Sequence, residues 1–208
     1  MVSKLSYAKR KGKLIFIREG LLRKWLSLAL RAFVLGQETY EGDDTGLGSL
    51  AAISSDIVIL GCGNILFGDD GFGSSVAERL QNDTPLPKNV SVINAGTSVR
   101  EILFDLVVNE KRPRKIIVID AIDANRRPGE IFRIDLEEIP KNKVDDFAIH
   151  GMPTSNLLRE LRDYCNVEVI VIVGQVAHIP DRVKPGLSDV LTRSVPAAVE
   201  EVLRLVGE

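Results

Sequence analysis

The residues best suited to chemistry lie in one short segment at positions 57–77, with the sequence IVILGCGNILFGDDGFGSSVA. Its first four residues are apolar and predict a buried strand, and the glycines at 61 and 63 permit a sharp turn after it. Asn64 follows, and the adjacent carboxylates Asp69 and Asp70 then lead through two more glycines into a helical pattern. The two acids therefore lie in a loop beyond the carboxyl end of a strand, which is where open α/β sheets bind ligands.

Two other interpretations of this loop compete with a chemical one. A dinucleotide fingerprint needs a third glycine at position 66, where this chain has Leu66. Two acids would also repel a pyrophosphate at the start of the helix. The simplest alternative is a tight turn in which Asp70 caps the helix. The paired carboxylates favour a cation site or a catalytic site over that turn.

Polar or small residues also follow the other predicted strands. Asn94, Ala95, Gly96 and Thr97 follow the second strand, Asp120 closes the apolar run KIIVID, and the last strand runs into Gly174 and Gln175. An acid at the end of an apolar strand is costly to bury unless it is paired or binds a cation. The alternative for Asp120 is a helix or turn cap. Because parallel strands end at one edge, these groups are expected to converge.

The chain has two histidines, His150 and His178. His150 precedes a helical pattern, and with two strand-end acids it would give one nitrogen and two oxygen ligands with open coordination positions. That set suits a first-row divalent ion such as nickel or zinc. His178 follows the last strand, so it is expected at the same edge as a substrate contact or a supporting group, or else as a structural residue.

Apolar runs alternate with helical patterns from residue 56 onward, which predicts an α/β fold with a mostly parallel sheet covered on both faces. Strands are predicted at 57–60, 90–93, 115–120, 130–136 and 168–173, and helices at 98–108, 154–164 and 187–206. Pro196 is expected at a kink or at a helix start.

The composition is that of a globular chain with an extension. Its 208 residues are 45% hydrophobic and 27% charged, and the formal net charge of −2 argues against nucleic acid as a partner. Two distant cysteines, Cys62 and Cys165, suggest a reducing compartment, so a cytoplasmic location is expected.

Residues 1–55 are predicted to be a basic N-terminal extension, and residues 56–208 the α/β domain. The extension holds one predicted helix over 21–35 and then a polar, glycine-rich linker. That helix is too short and too charged to cross a bilayer, which takes about 20 apolar residues, so membrane contact is not expected.

Four motifs carry a resemblance to a known family. They are GCGNILFGDDGFG at 61–73, NAGTS at 94–98, VIDAID at 118–123 and the loop that contains His150. In this order they resemble the hydrogenase maturation endopeptidases, which process the large subunit of nickel–iron hydrogenases. The segments HGMPTSNLL and GQVAHIP are similar to the branch that serves deazaflavin-reducing hydrogenases of methanogens.

The resemblance implies a three-layer α/β/α sandwich with a twisted sheet and an aspartyl-type endopeptidase activity. The implied substrate is a hydrogenase large-subunit precursor, from which a C-terminal extension is removed once nickel is installed. The implied metal-contacting trio is Asp70, Asp120 and His150. The nickel would arrive with the substrate, so no permanent cofactor is expected, although zinc or cadmium can occupy such a site.

The remaining site residues are expectations of the same kind. Asp69 and Asp70 are the catalytic candidates, and Asp69 has the alternative role of organising the loop. The expected substrate contacts are Asn64, Ala95, Gly96, Thr97 and His178. The first metal ligand is often glutamate in relatives, and the family's glycine-glycine-threonine segment is Ala95-Gly96-Thr97 here.

Two other functions are compatible with these residues. A non-proteolytic metal-binding maturation chaperone would share the trio but leave the precursor uncut. A small-molecule hydrolase on a similar sheet would need basic residues near the glycine loop for an anionic substrate, and none lies between positions 57 and 77. The zincin signature H-E-x-x-H is absent from the chain.

Overall fold

A computed structural model describes residues 6–10, 13–17, 55–138 and 154–208 of this chain. The chain divides into two compact units, Met1–Gly46 and Leu47–Glu208. In the first unit, strand β1 (Ser6–Arg10) pairs antiparallel with strand β2 (Lys13–Ile17), a pairing that the sequence analysis did not predict. The predicted helix over 21–35 lies outside the described residues, and the division at residue 55 stays a prediction.

The second unit alternates strands and helices as predicted. Its strands are β3 (Ile57–Cys62), β4 (Val90–Gly96), β5 (Lys115–Ile122), β6 (Ile131–Arg133) and β7 (Glu168–Gln175). Its helices are α1 (Phe72–Asp83), α2 (Val99–Val108), α3 (Thr154–Asp163) and α4 (Asp189–Gly207). Pro196 lies inside α4. Among the helices of the described ranges, none combines the length and the hydrophobicity that a bilayer crossing requires.

The five strands of this unit form one sheet in the order β4-β3-β5-β7-β6. The first four are parallel to one another, whereas β6 is short and runs antiparallel to β7 at the edge. Because parallel strands share a direction, the carboxyl ends of β4, β3, β5 and β7 meet at one edge of the sheet. The predicted convergence of the strand ends is confirmed for these four strands.

Helices cover both faces of the sheet, which confirms the predicted α/β/α sandwich. Side chains alternate along a strand, so Val58 and Leu60 of β3 face one side while Ile57 and Ile59 face the other. The first side packs against apolar residues of α2 and α3, and the second against those of α1 and α4. Burial on both faces is the reason why these strands are continuous apolar runs.

Glycines bring the start of α1 directly against the strand ends. A Cβ atom on Gly73 would lie 2.1 Å from the carbonyl oxygen of Ile119 in β5, and one on Gly61 would lie 2.3 Å from the carbonyl oxygen of Gly73. No side chain fits at either contact, so only glycine permits this approach. The close packing fixes the 3₁₀ turn Gly68–Gly71, which precedes α1, at the carboxyl edge of the sheet.

Candidate functional site

Gly63 lies between the two strand-end acids Asp70 and Asp120. It follows β3 with a φ of +108°, a conformation that favours glycine. A Cβ atom at this position would lie 1.8 Å from the carbonyl oxygen of Asp70 and 3.6 Å from Oδ1 of Asp120. The main chain of Asp70 and the carboxylate of Asp120 therefore both border Gly63 at the sheet edge, as the placement of their strands predicts.

Asp70 is partly exposed, and its carboxylate turns back toward the loop. Its Oδ2 accepts a hydrogen bond from the backbone N–H of Asn64 at 2.7 Å. Asn64 in turn uses its side-chain oxygen to accept from the N–H of Leu66 at 3.0 Å. The alternative of a helix cap is not supported, because Gly71 is the N-cap residue of α1 and no side chain caps that helix.

Asp69 differs from its neighbour because it is buried, with 1% of its surface exposed. Its Oδ1 accepts from the N–H of Ser188 at 2.7 Å. Its Oδ2 accepts from the N–H of Ala177 at 2.8 Å, the N–H of His178 at 3.3 Å and the hydroxyl of Ser188 at 3.0 Å. We call residues 63–71 the acidic loop. The carboxylate of Asp69 thus joins the acidic loop to the segment after β7 and to the start of α4.

Asp120 is the sixth residue of β5 and is partly exposed among buried neighbours. Its Oδ1 accepts from the N–H of Ala121 at 2.8 Å. Both residues belong to the same strand, so the side chain does not cap a helix. Its place beside Gly63 puts this carboxylate next to the acidic loop.

The end of β4 contributes backbone groups to the same edge. The N–H of Gly63 donates to the carbonyl oxygen of Gly96 at 3.0 Å, and Gly96 has a φ of +52°. Ala95 is buried, whereas Asn94 and Thr97 are exposed. The predicted substrate contacts Gly96 and Thr97 therefore lie beside the acidic loop, while the methyl group of Ala95 belongs to the core.

Gln175, the last residue of β7, is buried with 3% of its surface exposed, and its side chain holds the loop that follows β5. Its Oε1 accepts from the N–H groups of Ala124 at 2.9 Å and Arg126 at 3.1 Å. Its Nε2 donates to Oδ1 of Asp123 and to the carbonyl oxygen of Val176, each at 3.1 Å. One carboxamide thus fixes the loop that follows β5.

A cavity of about 630 Å³ lies between this loop and residues 175–179. His178 lines it, with an exposed side chain and a backbone N–H held by Asp69. On the opposite wall, Arg126 is fixed by an ion pair with Glu130 at 2.9 Å and lies 3.9 Å over the ring of Phe132. The cavity adjoins the acidic loop, because Asp69 accepts hydrogen bonds from the N–H groups of Ala177 and His178, which line the cavity.

His150 lies outside the residues that the structure describes, so its place in the trio stays a prediction. Within 55–138 and 154–208, no three histidine, cysteine or acidic side chains form a group that could hold a metal ion. Asp70 and Asp120 both lie beside Gly63, and their part in a metal site stays a prediction as well.

Sequence reasoning missed the roles of Gln175 and Ser188. Gln175 was noted only as part of a strand end. Ser188 precedes the first residue of α4, and serine before a helical pattern is a common N-cap signal that could have identified it. The link from Ser188 to Asp69 has no comparable signal, because 119 positions separate the two residues.

Comparison with known proteins shows which family this chain resembles. The family model for hydrogenase maturation proteases, HycI, matches residues 74–205, more than half of the chain. A Methanocaldococcus jannaschii protein provisionally named a hydrogenase maturation protease is 44% identical over 150 residues, which cover 71% of this chain and 94% of that protein. The coenzyme F420 hydrogenase subunit delta of Methanothermobacter thermautotrophicus is 35% identical over 156 residues, covering 74% and 96%.

A solved structure shows the same fold. The crystal structure of the hydrogenase 3 maturation protease aligns with a TM-score of 0.54 at 27% identity, covering 72% of this chain and 90% of that chain. The sequence matches and the shared fold thus agree on one group of peptide hydrolases. This chain belongs to the hydrogenase maturation protease family.

Proposed function

We propose that this protein is the endopeptidase that removes a C-terminal extension from the large-subunit precursor of a nickel–iron hydrogenase after nickel insertion. The observation that carries this proposal is the approach of Asp70 and Asp120 to Gly63 at the carboxyl edge of the sheet. Both acids are partly exposed, so a substrate can reach them. Family membership supports a peptide bond as the target and a precursor as the partner.

Nickel enters this proposal as part of the substrate. Asp70, Asp120 and His150 would contact the nickel of a loaded precursor, with two oxygen atoms and one nitrogen atom as ligands. A precursor without nickel would lack this contact and would not be positioned for cleavage. The protein then needs no permanent cofactor, and zinc or cadmium would compete for the same ligands.

The two adjacent acids, Asp69 and Asp70, would have different roles. Asp70 is partly exposed at the sheet edge, so its carboxylate is the stronger candidate for direct contact with the reacting groups. Asp69 is buried and accepts four hydrogen bonds from three residues. These contacts favour Asp69 as the residue that organises the loop over Asp69 as a base.

The branch of the family points to one kind of hydrogenase. The relative from Methanothermobacter thermautotrophicus carries the name coenzyme F420 hydrogenase subunit delta, and it aligns over 74% of this chain. We infer that the precursor belongs to a deazaflavin-reducing hydrogenase, processed in the cytoplasm. Precursors of other hydrogenase types are the natural comparison substrates.

The test is to incubate the purified full-length protein with nickel-loaded precursor and with nickel-free precursor, and to follow the precursor by intact mass spectrometry. The loaded form is expected to lose the mass of its C-terminal extension, and the nickel-free form to keep it. Asp70→Asn and Asp120→Asn are expected to lower the rate by at least about 100-fold, a loss typical of a residue acting in the transition state. Asp135→Asn, which changes an exposed acid outside the site, is the matched control.

Two results would contradict the proposal. Cleavage of nickel-free precursor at the same rate would remove nickel as the recognition element. A loaded precursor that binds tightly but keeps its full mass would favour the metal-binding chaperone. If the Asp135→Asn control were as slow as the two site variants, their effect would be a general consequence of lost charge.

A further inference from the structure

Exposed apolar side chains are concentrated beside the acidic loop. Six large hydrophobic residues are exposed in the described part of the chain. Four of them lie on two loops at the carboxyl edge, with exposed fractions of 59%, 46%, 37% and 63%: Ile65, Leu66, Ile179 and Val183. We call these four residues the apolar rim. Single exposed apolar residues are ordinary, but a cluster of them marks an interaction surface.

Backbone hydrogen bonds join the two loops of the apolar rim into one surface. The N–H of Lys184 donates to the carbonyl oxygen of Leu66 at 2.9 Å, and the N–H of Gly68 donates to the carbonyl oxygen of Lys184 at 2.9 Å. A Cβ atom on Gly68 would lie 2.9 Å from Cδ of Pro180, so the loops are also in van der Waals contact. The rim is therefore held in place before any partner binds.

The apolar rim is continuous with the candidate site on both sides. Ile65 and Leu66 follow Asn64, whose backbone N–H holds the carboxylate of Asp70. Ile179 lines the cavity of about 630 Å³ that adjoins Asp69. A polypeptide that lies on the rim thus passes the acids.

Three exposed cations lie near the apolar rim, together with the acids of the neighbouring loops. Arg182 and Lys184 flank Val183, and Arg127 lies on the loop that forms the other wall of the cavity; all three are exposed. Among the described residues, none of these three cations has an ion-pair partner, and Asp181 is the one acid in the 181–184 segment. The segment 181–184 thus carries two cations and one acid in a chain whose net charge is −2.

We propose that the apolar rim docks the precursor beside its scissile bond, and that the docked segment carries apolar side chains together with carboxylates. This inference rests on the proposed function. The apolar side chains would cover the rim, and the carboxylates would meet Arg182 and Lys184. Binding at the rim would hold the scissile bond near Asp70 without taking part in the chemistry.

The first test measures cleavage of nickel-loaded precursor by the double variant Ile65→Ser/Val183→Ser. Loss of two exposed contacts is expected to raise KM by at least about tenfold, equivalent to about 1.4 kcal/mol of binding, and to leave kcat at saturation unchanged. The matched control is Tyr164→Ser/Leu203→Ser, which changes the two other exposed hydrophobic residues. Its KM is expected to equal that of the unmodified protein.

The second test reverses the charges with Arg182→Glu/Lys184→Glu. KM is expected to rise by about tenfold at low salt, and the difference should shrink as the ionic strength increases. Lys88→Glu/Lys111→Glu is the matched control, because both of these lysines are exposed on loops that precede β4 and β5, away from the carboxyl edge.

The outcomes separate this inference from the proposed function. If the unmodified protein leaves the precursor uncut, the proposed function fails. If it cuts the precursor and Ile65→Ser/Val183→Ser keeps the original KM, the docking inference is overturned while the function stands. An unchanged KM in Arg182→Glu/Lys184→Glu would remove carboxylates from the docked segment.

Two further measurements test the fold of the variants and an alternative partner for the apolar rim. Thermal melting of every variant checks the fold, and the single variant Val183→Ser replaces the double variant if the latter melts early. Vesicles of anionic phospholipid serve as an alternative partner. Vesicle binding that Ile65→Ser/Val183→Ser abolishes, with the precursor KM unchanged, would assign the rim to a membrane surface and overturn the proposal.

Discussion

The carboxylate of Asp69 holds the residue that caps helix α4, since Ser188 donates its N–H to Oδ1 at 2.7 Å and its hydroxyl to Oδ2 at 3.0 Å. The hydroxyl oxygen of Ser188 accepts in turn from the N–H of Leu191 at 3.4 Å. The acidic loop and the last helix are therefore one hydrogen-bonded unit. A substitution at Asp69 is therefore expected to weaken the N-cap of α4 as well.

Asp69→Asn is expected to destabilise the protein by about 3 kcal/mol, because every group that faces the carboxylate is a donor. An asparagine would place its NH₂ group against one set of these donors. Ser188→Ala is expected to cost about 1 kcal/mol through loss of the cap. Urea denaturation followed by circular dichroism measures both changes. Asp70→Asn is the control, and a loss as large as that of Asp69→Asn would contradict the division between the two acids.

Gly63→Ala is expected to destabilise the protein by more than about 3 kcal/mol, because the new methyl group would overlap the carbonyl oxygen of Asp70. Gly186→Ala is the matched variant. Its φ of +97° is similarly strained, but nothing lies within 4 Å of the added Cβ. Backbone strain alone is expected to cost about 1–2 kcal/mol at Gly186. Chemical denaturation measures the loss of stability in each variant. Equal losses would mean that backbone strain, and not steric overlap, causes the destabilisation by Gly63→Ala.

His150→Ala is expected to weaken the binding of zinc, cadmium or nickel to the isolated protein. Imidazole is the one nitrogen ligand in the proposed trio, and its loss leaves two carboxylates that hold these ions less well. Isothermal titration calorimetry with each metal measures the change. His178→Ala, which removes the other histidine of the chain, should keep the original affinity. Identical titration curves for His150→Ala and the unmodified protein would exclude His150 from the site.

Asp105→Asn in helix α2 is expected to raise the melting temperature at neutral pH. Burial of the Asp105 carboxyl, followed by repulsion from Glu101, raises its pKa above the ordinary value near 4. A raised pKa in the folded state means that the charged form costs stability above that pKa, and that the cost disappears as the pH falls below the ordinary value.

The gain should therefore be present at pH 7 and vanish near pH 3, as followed by melting curves across this range. Asp135→Asn, which changes an exposed acid, is the reference for a general effect of charge. A gain of the same size at both pH values would show that charge burial at Asp105 is not its cause.

A fragment of residues 56–208 is expected to fold and to process the precursor. The described strands β3–β7 and helices α1–α4 all lie in this part of the chain, and it falls within the compact unit Leu47–Glu208. Circular dichroism and the precursor mass assay test the two statements separately. A folded fragment that leaves the precursor intact would give residues 1–55 a part in substrate binding.

The local pattern of residues is sufficient to predict the fold class and the sheet edge at which the candidate site lies. The runs at β3, β5 and β7 are apolar without alternation, and such runs are stable only between two helical layers. Parallel strands then require a common carboxyl edge, so the sequence pattern alone predicts that Asp70, Asp120 and Gly96 lie at the same edge of the sheet. The direction of β6 could not be predicted in this way, because a three-residue edge strand carries too little pattern to define its pairing.

The different environments of the two adjacent acids, in contrast, arise from tertiary contacts. Asp69 and Asp70 are identical in type, and local pattern offers no reason to bury one of them. The 3₁₀ turn directs Asp69 toward Ala177 and Ser188, which lie more than 100 residues later, and leaves Asp70 at the edge. The apolar rim has the same origin, since backbone pairing between Leu66 and Lys184 joins loops that are distant in sequence. Contacts of this range depend on how the helices and strands pack, and packing is a property of the whole chain.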